Sequence, residues 1–323
     1  MAGLQAARAS RTWWRFGAAS AGLVGAGVSC TQARGLLDEW RTKHADSCHP
    51  CGGPTDGVEH FRPRPITSSS LRPYGPASHH AVVEAGARKP RTLVLFLGDS
   101  LVSGVGGQAG VSPLPAALPR AVAERLSHLG GGGAVQWASV GIIGAGVDRL
   151  ADEGLPQLRD KLAGSEKGTT HVVVVLVVGV NDLKQMNFVG YREGLRRLVA
   201  ELRTVAGELR DVARRGQVVD VFLPELSIAD APLLQRFPIN VLARPICALW
   251  EREKRQAIDQ IANAETLAFP PPPQGVDVAS LFSPDEMHPS LRGYEWWADG
   301  LANQIHSRLS ARTRHSVHAA AVE

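Results

Sequence analysis

Asp285-Glu-Met-His288 places a carboxylate three residues before an imidazole, so one turn can present the two side by side. A histidine held this way gives one ring N–H to the carboxylate and keeps its other nitrogen for a hydroxyl proton. The hydroxyl on offer is Ser100, which closes the run Val94-Leu-Phe-Leu-Gly-Asp-Ser100. A serine is a poor nucleophile until a base takes its proton. Ser100, His288 and Asp285 would therefore serve as nucleophile, base and orienting carboxylate. Attack on a carbonyl puts negative charge on oxygen, and fixed donors around that oxygen lower the barrier. Gly141-Ile-Ile-Gly144 and Gly179-Val-Asn181-Asp182 offer amide donors. Each stretch alone has an ordinary reading: Gly-Asp-Ser is a turn, Asn-Asp a helix cap, a lone histidine a core or surface residue.

What raises the set above these readings is where a fold would put it. Leu93–Leu97 is an unbroken apolar run, the mark of a strand buried on both faces. Leu118, Val122, Leu126 and Leu129 follow as one helical stripe, closed by glycines 130–133. Ala134–Val140 is a short strand, and Val147 to Leu162 has helical spacing. His171–Val178 has six valines and predicts the strongest strand. A stripe from Leu195 to Leu209, a strand at Val218–Leu223, a helix over Leu249–Ala264, a strand at Thr266–Phe269 and a helix over Tyr294–Leu309 complete the pattern. Alternating strands and helices predict an α/β fold, a three-layer α/β/α sandwich on a mostly parallel, flavodoxin-like sheet. Sites in such folds collect at the carboxyl ends of the strands. Three of the four chemistry-bearing stretches fall at those ends, and the fourth precedes the last helix.

The order and spacing of these blocks resemble the SGNH hydrolases, also called the GDSL esterase and lipase family. The resemblance covers about Arg91 to Arg312. It implies a Ser100–His288–Asp285 triad and an oxyanion hole built from the Ser100 N–H, the Gly144 N–H and the Asn181 side-chain amide. It implies ester hydrolysis through an acyl-enzyme, with no cofactor and no metal. Asp99 is expected to hold its turn, and Asp182 to cap or brace the Asn181 loop. Ala145 stands where the family often has an acidic residue, which predicts a loosened loop after Gly144. An acyltransferase or a carbohydrate deacetylase is the alternative on the same fold. A non-catalytic or dinucleotide-binding α/β protein is the alternative of another class. Gly104-Val-Gly106-Gly-Gln-Ala109 matches the loose dinucleotide pattern. There the glycines should join strand directly to helix, whereas this strand stops at Gly98, and Glu124, at the right distance for the acidic partner, lies inside a helix. The G-x-S-x-G elbow of the other serine-hydrolase fold has no match.

The remaining chain bounds the setting. Arg8, Arg11, Arg15 and Arg34 precede the first acidic residue, Asp38, and residues 16–33 carry no charge. Residues 1–40 are therefore expected to be a targeting or membrane-anchor segment, with a mitochondrial-type or a secretory address. Membrane contact is expected only through that segment. Residues 41–90, rich in Pro, Gly, Ser and Arg, are expected to be a disordered linker. The hydrolase domain spans 91–312 and a tail 313–323. Cys48-His-Pro-Cys51 has metal or redox spacing but lacks a second ligand pair and the strand–helix context, so no metal is assigned. Net charge is only +4, without a basic block interleaved with aromatics, so no nucleic acid is expected as partner. The expected partner is a small-molecule or lipid ester; the oligomeric state is left open. Glu225–Trp250 is a long connection leaving the carboxyl edge, and Leu233, Leu234, Phe237, Ile239, Val241, Leu242, Ile246 and Trp250 are candidates for the wall of an acyl pocket. That predicts neutral esters with short to medium acyl chains.

Overall fold

The computed structural model describes residues 56–59, 92–106, 117–130, 135–163, 171–185, 188–213, 218–226, 228–236, 239–259 and 263–320. The Arg-rich leader, Cys48 and Cys51, and Phe237 lie outside them.

Six strands form one sheet: β1 (Asp56–Glu59), β2 (Thr92–Gly98), β3 (Val135–Gly141), β4 (His171–Val177), β5 (Val218–Pro224) and β6 (Ala264–Leu267), in the order β1-β3-β2-β4-β5-β6. Strands β2 to β6 are parallel. Their order is the flavodoxin-like one, with the topological switch between β2 and β4. β1 is antiparallel to β3 and comes from the segment expected to be linker. Its sequence, Asp-Gly-Val-Glu, carries no alternation that would mark a strand. The register sets Gly98 level with both Gly141 and Val177, so the three central strands end together.

The sheet is coated on both faces. Leu93, Leu95, Leu97, Val172, Val174 and Leu176 point into one core. Val94, Phe96, Val173, Val175 and Val177 point into the other. This explains the unbroken apolar runs: every residue of β2 and β4 after the first is buried. The first core is covered by α3 (Val147–Arg149), a π turn (Leu150–Gly154), α4 (Leu155–Ala163), α6 (Phe188–Ala213) and α7 (Ile239–Ile258). The second is covered by α2 (Ala117–Leu129) and α8 (Leu291–Ala320). Short helices α1 (Ser100–Ser103) and α5 (Val180–Gln185) follow β2 and β4 directly.

Several boundaries depart from expectation: the helix expected to reach Ala264 ends at Ile258, and β6 begins at Ala264 instead of Thr266. Helix α7 begins at Ile239, ten residues before Leu249, and runs through Pro245. Proline inside a helix removes one backbone bond and usually marks an end, which hid the first turns. Helix α8 runs on to Ala320, through most of the stretch read as tail. Leu195 on α6 is fully buried in the first core. Leu195→Ala should lower stability by about 2–5 kcal/mol, read as a reduced denaturation midpoint with an unchanged m-value.

Candidate active site

Helix α1 begins at Ser100, straight off β2. Asp99 caps it, its Oδ1 accepting from Leu101 N at 3.0 Å. Ser100 Oγ lies 3.0 Å from His288 Nε2, across 188 residues of chain. His288 Nδ1 lies 2.5 Å from Asp285 Oδ2. A carboxylate at Nδ1 fixes the ring proton there and leaves Nε2 to accept from the serine hydroxyl. The three-residue spacing read from the sequence is therefore realised as one tight turn. Asp285 Oδ1 accepts from Ser283 Oγ (2.5 Å), Met287 N (3.0 Å) and His288 N (2.9 Å). Burial works to raise the Asp285 carboxyl, but the His288 hydrogen bond and charge, with the Ser283 and Met287 donors, hold it well below the usual carboxylate range. Ser100 and His288 are buried, at 6% and 4% exposed.

The chain after α1 packs directly against this turn. Gly106 has φ +117, and a Cβ there would stand 2.4 Å from Pro289 O and 3.0 Å from His288 Cβ. Tyr294 Oη donates to Val105 O at 2.6 Å and fixes the same segment to α8. A backbone resting on the imidazole turn, rather than a nucleotide phosphate, accounts for this glycine of the dinucleotide-like pattern.

The loops after β3 and β4 are bonded to the two residues that precede the serine, Gly98 and Asp99. Ile142 N donates to Gly98 O at 2.9 Å, drawing the first loop onto the end of β2. Gly144 has φ +74 and is exposed, with open space where a side chain would be. A left-handed turn with a bare face suits close approach by another molecule. Asn181 is buried; its Nδ2 donates to Asp99 Oδ2 (2.9 Å) and to Ala145 O (3.0 Å). Asp182 Oδ1 accepts from Val147 N at 3.0 Å, while its Oδ2 is buried without a hydrogen-bond partner among the described residues. The loosening expected from Ala145 is therefore offset: Asn181 and Asp182, in α5 after β4, brace that loop across the end of β2.

Beside Ser100 opens a mostly apolar cleft that also touches His288. Its walls include Leu226, Phe269, Phe282, Met287, Trp296 and Trp297. Among the described residues, the 225–250 connection therefore contributes Leu226 and none of those expected from sequence. Trp250 instead packs under the sheet, its ring stacked on Tyr191 at 4.3 Å and edge-on to Phe188 at 4.8 Å. Leu242 is 46% exposed. Sequence reasoning missed the wall because Trp297 belongs to a helical stripe that reads as core; the same face of α8 serves both core and cleft. Among the described residues no cluster of three or more His, Cys, Asp or Glu could hold a metal ion. No described helix is long and apolar enough to cross a membrane.

Burial raises the Asp182 carboxyl to about 6, with Asp99 and Asp148 pushing the same way against the Val147 N–H. A carboxyl whose folded pKa lies above its unfolded value stabilises the fold below the unfolded value and loses that contribution as pH rises through the folded one. From 3.8 to about 6 the loss amounts to about 3 kcal/mol. Asp182→Asn keeps an acceptor for Val147 and cannot ionise. Its melting temperature should exceed the wild type's at pH 8 by clearly more than at pH 4; an equal difference at both would mean that burial does not raise the Asp182 carboxyl in the fold.

The GDSL-like lipase/acylhydrolase family matches residues 96–296. No curated protein matches significantly. Among solved structures, the chain is similar to the Clostridium thermocellum family 3 carbohydrate esterase, at 18% identity and a TM-score of 0.46 over 68% of this chain and 98% of that one. It is similar to Est24, a carbohydrate acetylesterase from Sinorhizobium meliloti, at 18% identity and 0.45 over 67% and 98%. It is also similar to the lipase/acylhydrolase from Enterococcus faecalis, at 16% identity and 0.40 over 67% and 96%.

Proposed function

Since the chain belongs to the family of GDSL-like lipases and acylhydrolases and is a carboxylic ester hydrolase, we propose that it cleaves neutral esters of short to medium acyl chain through an acyl-enzyme on Ser100. The observation that carries this reading is the continuous line from Ser100 Oγ through His288 to Asp285, opening onto an apolar cleft. His288 Nε2 takes the Ser100 proton as Oγ attacks the ester carbonyl. The carbonyl oxygen becomes an oxyanion beside the Ser100 N–H, the Gly144 N–H and the Asn181 amide. Collapse of this intermediate expels the alcohol, which takes the proton back from His288. Water, activated by the same imidazole, then releases the acid and restores Ser100. Asp285 stays ionised throughout and steadies the imidazolium.

Asn181 enters this scheme with its amide engaged by Asp99 and Ala145. Donation to the oxyanion comes, in this reading, at the expense of the bond to the Ala145 carbonyl. The Asp99 bond keeps the amide oriented meanwhile.

The acyl chain lies along Leu226, Met287 and Trp296 in this reading. Burying each methylene is worth up to about 0.8 kcal/mol, so kcat/KM should rise with chain length and then level off. The test is a p-nitrophenyl series from acetyl to octanoyl, run beside lysophospholipids and acetylated sugars. Met287→Ala and Trp296→Ala should shift the optimum; a flat series unchanged in both, or faster turnover of acetylated sugars, would overturn the acyl-chain reading.

Ser100→Ala should fold normally and lose labelling by a fluorophosphonate, and persistent labelling would mean a different nucleophile. Asn181→Ala should lose about 10²–10³ in kcat, the size expected of one hole donor, and wild-type kcat would remove it from the hole.

A further inference from the structure

Glu286 sits inside the turn that carries Asp285 and His288, and its φ is +61. Side chains other than Asn, Asp and His seldom occupy that left-handed region. Backbone strain of this kind survives at a site only where the surroundings over-determine it. Part of that constraint is local: Glu286 N donates to Ser283 O at 2.9 Å. The rest comes from the stretch between β5 and α7. Leu233 N donates to Glu286 O at 3.3 Å. Arg236 Nη2 donates to Glu286 Oε1 at 2.6 Å and bonds Oε2 as well.

Residue 286 is thus gripped by its N–H, its carbonyl and its carboxylate. It cannot relax without moving the flanking residues, whose N–H groups at 287 and 288 lock onto Asp285. The gripping stretch is itself fixed: Leu233 is buried, and Leu234 N and Gln235 N both bond Ala231 O.

We propose that Arg236 and Glu286 are positioning residues, an ion pair that holds the Asp285–His288 turn at its working distance from Ser100. The inference rests on the hydrolase reading of that turn. It gives the 225–250 connection a task other than the pocket wall expected of it. The pair is 41% and 33% exposed in its side chains, and ion pairs so placed add little to stability. Its loss should therefore appear in turnover and not in melting.

The experiment uses the full chain with Arg236→Ala, Glu286→Gln and the reversed pair Arg236→Glu/Glu286→Arg. It measures kcat and KM on p-nitrophenyl butyrate, the rate of fluorophosphonate labelling and the melting temperature. Each single variant should lose about tenfold in kcat and labelling rate, within the ~10²-fold that slight misplacement of a catalytic group can cost. KM and melting temperature should stay near wild type, and the reversed pair should recover most of the loss. Wild-type kcat and labelling in both single variants would overturn the proposal. So would a loss of kcat that follows a fall in melting temperature and disappears on cooling, because the pair would then be merely structural. A wild type that fails to label at all would bring down the hydrolase reading, whereas a labelled wild type with unimpaired variants brings down the clamp alone.

Discussion

One buried carboxylate ties the serine to the rest of the sheet. Asp99 is fully buried, and its two oxygens serve two elements: Oδ1 takes the Leu101 N–H at the start of α1, and Oδ2 takes the Asn181 amide after β4. A buried charge is costly unless hydrogen-bonded. These bonds can form only if β2 and β4 end level, as their register makes them do. Asn181 passes the constraint on through its bond to Ala145 O, in the loop after β3. Three loops leaving three strands thus behave as one hydrogen-bonded unit, and Ser100 and Gly144 belong to it.

The histidine turn is built separately, by local bonds among Ser283, Asp285, Met287 and His288. It meets the sheet through contacts that carry no chemistry of their own: Gly106 against Pro289, Tyr294 on Val105, Arg236 on Glu286. The Ser100–His288 distance results from how two separately stiffened pieces dock. Stiffness on each side is what keeps a hydroxyl and an imidazole within hydrogen-bond reach without substrate to hold them.

What was legible in the sequence follows from this division. Strands buried on both faces announce themselves as apolar runs, and Asp285 and His288 are three residues apart, so both were readable from spacing. The Arg236–Glu286 contact joins exposed charges 50 residues apart and resembles any solvated surface pair until the turn is seen. Helix α7 was shortened because Pro245 imitates a stop, and its apolar residues were assigned to a pocket although Trp250 fills the core behind α6. The cleft walls escaped because they come from five separated places in the chain and share no local pattern. Asp182 was read as a brace, and it is one, but its unpartnered oxygen depends on how deeply the loop closes over it.

Strand β1 bears on how the molecule behaves among its own copies. It lies along the outer side of β3, whose backbone groups would otherwise face outward as a ready template for another extended chain. Four residues from an otherwise unpatterned segment therefore act as a selvage on the woven sheet. Removing the chain up to and including Glu59 would leave every residue named in the site in place, yet would strip that border and invite self-association at the margin farthest from β6.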